Sequence, residues 1–256
     1  MLCVVSPAKT LDFETALPTA REHQPAFIAE ASELISGLRK LNAADIANLM
    51  KLSEKLATLN EVRYQEWSEE HKSPQCRQAV FAFKGDVYTG MDPYSFSEKE
   101  VQLAEKHLRI LSGLYGLLNP IDLIHPYRLE MGTKFENSGG ANLYKFWGDK
   151  ITDAINAELE AGGHKYFVNL ASNEYFKAVN KKKLARPMIE VDFLDWKNDK
   201  YKIISFFAKK ARGMMAAYII KNGLTDPDQL MDFDTAGYAY CPERSTESKY
   251  IFTRKQ

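Results

Sequence analysis

The chain has 256 residues, 34 basic and 34 acidic side chains, a formal net charge of zero, and a hydrophobic fraction of 45%. That apolar content is enough for a packed core and excludes a disordered chain. Zero net charge excludes a global basic attraction to nucleic acid, so a nucleic-acid binder of this composition has to segregate its charge.

Three cysteines, Cys3, Cys76 and Cys241, form no CxxC and stand at no zinc spacing from a histidine. This fits a reducing compartment better than a disulfide framework. The opening MLCVVSPAKT lacks a basic n-region and is too short for a signal peptide. No run approaches the roughly 20 apolar residues of a membrane span. A soluble cytoplasmic protein is expected.

Leu2 to Val5 reads as a short buried strand, and Ser6-Pro7-Ala8-Lys9-Thr10 as the loop after it. A loop at the end of a buried strand is a common ligand position in α/β proteins, which makes Lys9 a candidate for a phosphate or a substrate. The glycines of a Walker A loop are missing. Residues 26–40 and 43–59 have helical periodicity. Asn42 and Asp45 supply a cap for the second helix, and Ile46, Leu49, Leu52, Leu56 and Leu59 its apolar face. The acidic segment with Glu61, Glu66, Glu69 and Glu70 is expected to be a solvated helix facing away from any nucleic acid.

FAFKGDVYTG at 81–90 reads as a strand. Strand alternation would put Lys84, Asp86 and Tyr88 on one face, as a reactive group or, more simply, as a half-exposed ion pair. Ser97 and Glu100 form a capping-box signature that opens a helix. That helix runs into LRILSGLYGLLNPIDLIHPYRLEMGTK at 108–134, the stretch around which the rest is organised. Breaks at Ser112-Gly113 and at Asn119-Pro120 suggest two short helices with a glycine turn, the pattern of a helix-hairpin-helix. There Gly113 and Gly116 would let backbone N–H groups point at a phosphate. The two glycines are three apart, where the usual hairpin has them two apart, and a plain αα-corner packed by leucines has the same pattern. Arg128 and Glu130 alternate onto one face of an extended segment held by Pro126, where an isolated ion pair is the default reading and Arg128 stays a candidate for a phosphate.

Leu143 to Ala161 reads as a helix closed by Gly162-Gly163, and His164 to Leu170 as a strand. Ser172 is placed to cap a short helix from Asn173 to Val179, and the NLAS turn before it is a corner where N–H groups are free for an anion. Lys177, Lys181, Lys182, Lys183 and Arg186 make one acid-free basic block. Met188 to Leu194 and Tyr201 to Phe207 read as a β-hairpin that leads into a helix ended by Asn222-Gly223. Lys200 to Lys221 is a second acid-free block, containing Lys209, Lys210 and Arg212. A short acidic helix from Thr225 and an edge hairpin of 238–241 with 250–254 complete the chain.

Strands and helices alternate without repeat or linker, so the expected fold is one α/β domain over residues 1–256, a mixed sheet flanked by helices. Six segments also resemble the YaaA family of bacterial peroxide-stress proteins: SPAKT, FKGDVYTG, LSGLYGLLNPIDLIHPYRLEMG, LYKFWGD, NLASNEYFK and IISFFAKKARG. They run nearly end to end. The resemblance implies a cytosolic single-domain α/β protein with a basic cleft, a helix-hairpin-helix, DNA binding, and a role in limiting damage from iron and peroxide.

Two functions follow. The first is non-enzymatic binding of double-stranded DNA through its phosphates, with Lys9, Lys84, Arg128, the two basic blocks and the glycine hairpin lining one cleft. Acidic residues gather elsewhere, at 61–70 and 226–234. The alternative is an enzyme acting on a base or damaged nucleotide, with Lys209 as a buried nucleophile and Asp86 as its acid/base partner. Five histidines at no ligand spacing to one another give no metal site, and no cofactor is implied.

Overall fold

The computed structural model describes residues 1–255. In chain order the elements are β1 (Leu2–Val5), β2 (Thr10–Leu11), α1 (Ile28–Leu38), α2 (Ala43–Met50), α3 (Glu54–Glu66), β3 (Arg77–Gln78), α4 (Ala79–Ala82) and β4 (Phe83–Lys84). Then come α5 (Asp86–Met91), α6 (Glu98–His107), β5 (Leu108–Ser112), β6 (Gly116–Leu118), β7 (Leu123–Ile124), α7 (Leu143–Trp147) and α8 (Lys150–Ala161). The last are β8 (Phe167–Asn169), α9 (Asn173–Phe176), β9 (Met188–Lys197), β10 (Lys200–Lys202), α10 (Ser205–Asn222), β11 (Ala239–Tyr240) and β12 (Lys249–Arg254).

Eight strands form a mixed sheet in the order β11-β12-β9-β8-β1-β5-β6, with β10 pairing the far end of β9. The centre is parallel: β1 pairs β5 and β8, and β9 pairs β8 and β12. β1 is the middle of this core and is wholly apolar and buried, as a strand covered on both faces must be. Its partners are Val4 with Arg109 on one side and Val4 with Asn169 on the other. From β1 the chain crosses one way to β5, and from β8 it crosses the opposite way to β9. The crevice between the carboxyl ends of β1 and β8 is therefore a topological switch point, where open parallel sheets place ligands.

One continuous hydrophobic core runs from Met1 to Phe252. The longest helix, α10, packs on α5, α6, β1 and β9. It buries Ala211, Gly213, Met215, Ala217, Ile219 and others around most of its circumference, which is why its sequence shows no single apolar stripe. Its contact with α5 is close because of glycines. A β-carbon at Gly213 would collide with the Val87 carbonyl, and one at Gly90 with the Lys210 carbonyl.

Several expected boundaries hold. The capping boxes at Asn42/Asp45 and Ser97/Glu100 are both formed. Helix α10 ends on Gly223 in the left-handed conformation, φ 57°. Asn198 and Asp199, at φ 54° and 57°, make the tight turn between β9 and β10.

Others are corrected. Segment 43–59 is two helices, because Lys51 is left-handed (φ 54°) and turns the chain through Leu52 and Ser53. That turn leaves Leu56 and Leu59 exposed rather than on a shared apolar face. Segment 143–161 breaks at Gly148, φ 49°. The strand expected over 201–207 stops at Lys202, and Ser205 already belongs to α10.

The largest correction concerns the glycine turn. Leu108–Ser112 and Gly116–Leu118 are antiparallel strands in register Ile110–Leu118 and Ser112–Gly116. No pair of short helices exists there, and residues 108–118 are buried throughout. Gly113 lies against the Leu129 carbonyl and Gly116 (φ 65°) against the Trp147 ring, so both are packing glycines with no face open to a phosphate. The stretch organises the core instead. The Tyr115 hydroxyl accepts from Trp67 Nε1 (2.8 Å) and from the His125 N–H (3.2 Å), and lies 3.0 Å from His71 Nε2. With both lone pairs used, its proton goes to His71, whose Nδ1–H then donates to the Glu69 carbonyl at 3.0 Å.

Candidate functional site

A cavity of about 290 Å³ occupies the switch point. The loop after β1 supplies Lys9, the turn after β8 supplies Ser172 and Glu174, the start of α5 supplies Asp86, and α10 supplies Lys209 and Arg212. Sequence reasoning placed Lys9 and the NLAS corner at strand ends, and the parallel pairing of β1 with β8 is what joins them. The two turns are tied together: Ser6 Oγ donates to Ser172 Oγ (3.2 Å) and accepts from the Ser172 N–H (2.9 Å). Ser172 stands at the N-cap position of α9, but its hydroxyl faces Ser6 instead of capping the helix.

The candidate cations differ in what they already hold. Lys9 Nζ lies 3.0 Å from Glu130 Oε1, and Arg128 grips the same oxygen with Nε (3.1 Å) and Nη2 (2.9 Å). Arg128 is thus spent on an internal ion pair and does not line the cavity. Lys84 Nζ lies 3.4 Å from Asp12 Oδ2. Asp12 is held well below the usual carboxylate range, first by the Thr15 and Glu14 N–H groups that donate to it. Lys84, Asp86 and Tyr88 do not share a strand face, because α5 begins at Asp86. Lys84 is exposed, and buried Tyr88 donates to the Ser6 carbonyl at 3.2 Å.

Arg212 is different. It is largely buried, its Nε is shielded from solvent without a hydrogen-bond partner, and burial lowers its pKa, opposed by Asp192. Lys209, three residues earlier on the same helix, is exposed at the cavity and pairs with no carboxylate among the described residues. Lys209 is thus exposed where the enzyme alternative expected a buried lysine. Lys210 gives its backbone to the contact with Gly90 and lies outside the cavity.

The other basic block lies outside it too. Lys181 pairs with Glu190, Lys183 Nζ with Asp149 Oδ2 at 2.6 Å, and Lys177 sits 5.1 Å from the centre of the Tyr144 ring. Lys182 is exposed in the same 3-10 turn.

Lys84 also lines a neighbouring groove, walled by Leu59, Val62, Arg63 and Glu66 of α3, by Pro126, and by Asp12 and Glu14. Arg63, Glu66 and Pro126 also line a further pocket beside Trp67 and His125. Of the acidic segment's four named glutamates, Glu66 lies in that wall. Arg63, which the sequence pattern did not single out, is half-buried in that wall, and burial lowers its pKa. Its only signal was a basic residue inside an acidic helix. Asp12 and Glu174 were missed as well, since neither lies in a patterned cluster.

The chain matches the family described as peroxide stress protein YaaA over residues 1–244. It belongs to that family. Relatives called UPF0246 proteins share about the full length. The one from Aliivibrio fischeri is 55% identical over 256 residues, covering 100% of this chain and 99% of the relative. Those from Hahella chejuensis (254 residues, 99% of each chain) and Saccharophagus degradans (256 residues, 100% of each) are 54% identical. Membership in the YaaA family supports a role in peroxide stress. No helix of the described residues is long and apolar enough to cross a membrane.

Proposed function

We propose that this YaaA-family protein binds DNA by its phosphate backbone, without reading base sequence, and thereby limits iron- and peroxide-mediated damage. The observation that carries the reading is a cavity at the switch point in which Arg212 and Lys209 have no carboxylate partner. A neighbouring groove that shares Lys84 with it is lined by Arg63, a third cation without one among the described residues. Cations held by no carboxylate are the ones a polyanion can engage, even with Asp12, Glu14 and Glu66 lining the same groove as Arg63. A helical hairpin supports the reading from a different place than the sequence suggested. In α2–Lys51–Leu52–Ser53–α3 the Ser53 side chain makes no cap, so the first N–H groups of α3 are free for a phosphate, with Lys51 and Lys55 beside them and Glu54 at the first helical position. Phosphates covered in this way lose their condensed cations, iron among them.

Labelled duplexes of unrelated sequence, titrated at several salt concentrations, test this. Affinity is expected to be similar across sequences and to fall on the order of tenfold or more between low and physiological salt. Binding that ignores salt, or none at low salt, would sink the reading.

A further inference from the structure

The switch-point cavity holds groups suited to more than a passing backbone. Burying a guanidinium without a partner is costly, and Arg212 does so at the inner wall of a cavity that also holds free hydrogen-bonding groups. Ser172 Oγ accepts the Ser6 proton, so its own proton is uncommitted. Asp86, at the first position of α5, is an uncommitted acceptor. Lys209 stands one helical turn before Arg212, on the same side of α10. Two cations and a hydroxyl donor therefore line one cavity with three carboxylates, of which Glu130 is held by Lys9 and Arg128 and Glu174 accepts the Gly132 N–H, leaving Asp86 uncommitted.

Four segments wall the space: the loop after β1, residues 84–87, the turn after β8, and α10. Four segments around one small cavity suit a group that enters it better than a chain that passes along the surface. A phosphate monoester carries about −1.5 to −2 at neutral pH, enough to match two cations, whereas a diester carries a single charge.

We propose that this cavity binds a terminal phosphate monoester of a nucleotide. The phosphoryl group lies on Arg212, Lys209 and the Ser172 hydroxyl, and a donor of the attached sugar or base lies toward Asp86. The same chemistry is offered by a free nucleoside 5′-monophosphate and by a 5′-phosphorylated DNA end. Only the second source rests on the DNA-binding reading.

Calorimetric titration with deoxyadenosine 5′-monophosphate and with deoxyadenosine tests the pocket by itself. Anisotropy with one hairpin duplex carrying a 5′-phosphate or a 5′-hydroxyl tests the DNA end. The monophosphate is expected to bind about tenfold or more tightly than the nucleoside, Arg212→Gln to abolish that preference, and Lys209→Gln to reduce it severalfold. A matching preference for the phosphorylated end assigns the pocket to DNA termini. Preference for the free monophosphate without end discrimination assigns it to the small molecule. Equal binding of monophosphate and nucleoside, with no end preference, overturns the pocket even if the duplex binds and the DNA reading stands. Monophosphate binding without duplex binding leaves the pocket and removes the DNA reading. Should Arg212→Gln fail to fold, Lys209→Gln decides, because its side chain is exposed: an unchanged preference there overturns the proposal.

Discussion

At the scale of single residues, what separates the two basic blocks is whether each charge is already matched. Lys181 and Lys183 hold Glu190 and Asp149, whereas Lys209 and Arg212 hold no carboxylate. A charge that must first leave a partner contributes less to a new anion than one that is free. Lys209→Glu/Arg212→Glu is therefore expected to abolish duplex binding, and Lys181→Glu/Lys183→Glu only to weaken it. Both change net charge equally, so a pure net-charge effect would make the losses the same. Electrophoretic mobility shifts on variants shown to be folded by circular dichroism decide between the two, and equal losses would mean that the cleft is misplaced. Tyr115 makes a second residue-scale case. Tyr115→Phe leaves the Trp67 indole N–H and the His125 N–H without their buried acceptor, at a cost of about 1–3 kcal/mol for each donor. Urea denaturation should show a loss on the order of 2–4 kcal/mol, and a loss under half of one would mean that water replaces the hydroxyl.

At the scale of elements, local pattern failed where the same residues suit two structures. Alternating small and apolar residues at 108–118 serve a short helix pair or a tight β-hairpin equally well. Pairing of Leu108–Ile110 with Cys3–Val5 decides for the strand, since those backbone groups are buried and must be bonded. The α5–α10 contact shows the converse, a feature invisible to periodicity. Gly213 lets the helices touch at Val87 and so places Arg212 and Asp86 at one cavity. Gly213→Ala is expected to cost about 1–3 kcal/mol by forcing the helices apart, and to weaken duplex binding, because Arg212 moves with its helix. Full stability together with unchanged affinity would show that the contact relaxes freely.

At the scale of the whole molecule, buried titratable groups set the response to acid. Burial pushes His71, His107, His125 and His164 below their ordinary pKa, His164 to about 4, and it raises Asp122 to about 7. The histidines are taken up as neutral rings, and the unfolded chain binds protons that the folded one refuses. Their contribution is present above the ordinary histidine pKa and is lost as pH falls below it. Asp122 acts in the opposite sense, because the folded state keeps a proton that the unfolded state has given up from roughly pH 4 to 7. Four histidines outweigh one carboxyl group, so the urea midpoint should fall between pH 7 and pH 5. Asp122→Asn should raise the midpoint at neutral pH and make the fall on acidification steeper. A midpoint that rises on acidification would contradict the histidine assignment.

Much of the molecule was written locally. The α/β class, the buried first strand, both capping boxes, the Gly223 stop and the β9–β10 turn depend on residues within a few positions of one another, and short-range sterics and hydrogen bonding suffice for them. Lys9 and the NLAS corner were legible as strand-end positions for the same reason. That they face one another, with Asp86 and Arg212 beside them, depends on β1 pairing β8 across more than 160 residues of chain and on α10 closing onto α5. Which cations stay free was likewise settled in three dimensions. Lys84 found Asp12 and Lys183 found Asp149, while Arg212 was carried by its helix into a cavity where no carboxylate of the described residues pairs with it. Charge along a chain is a count, but an unpaired charge is a relation between segments, and only the packed fold determines it.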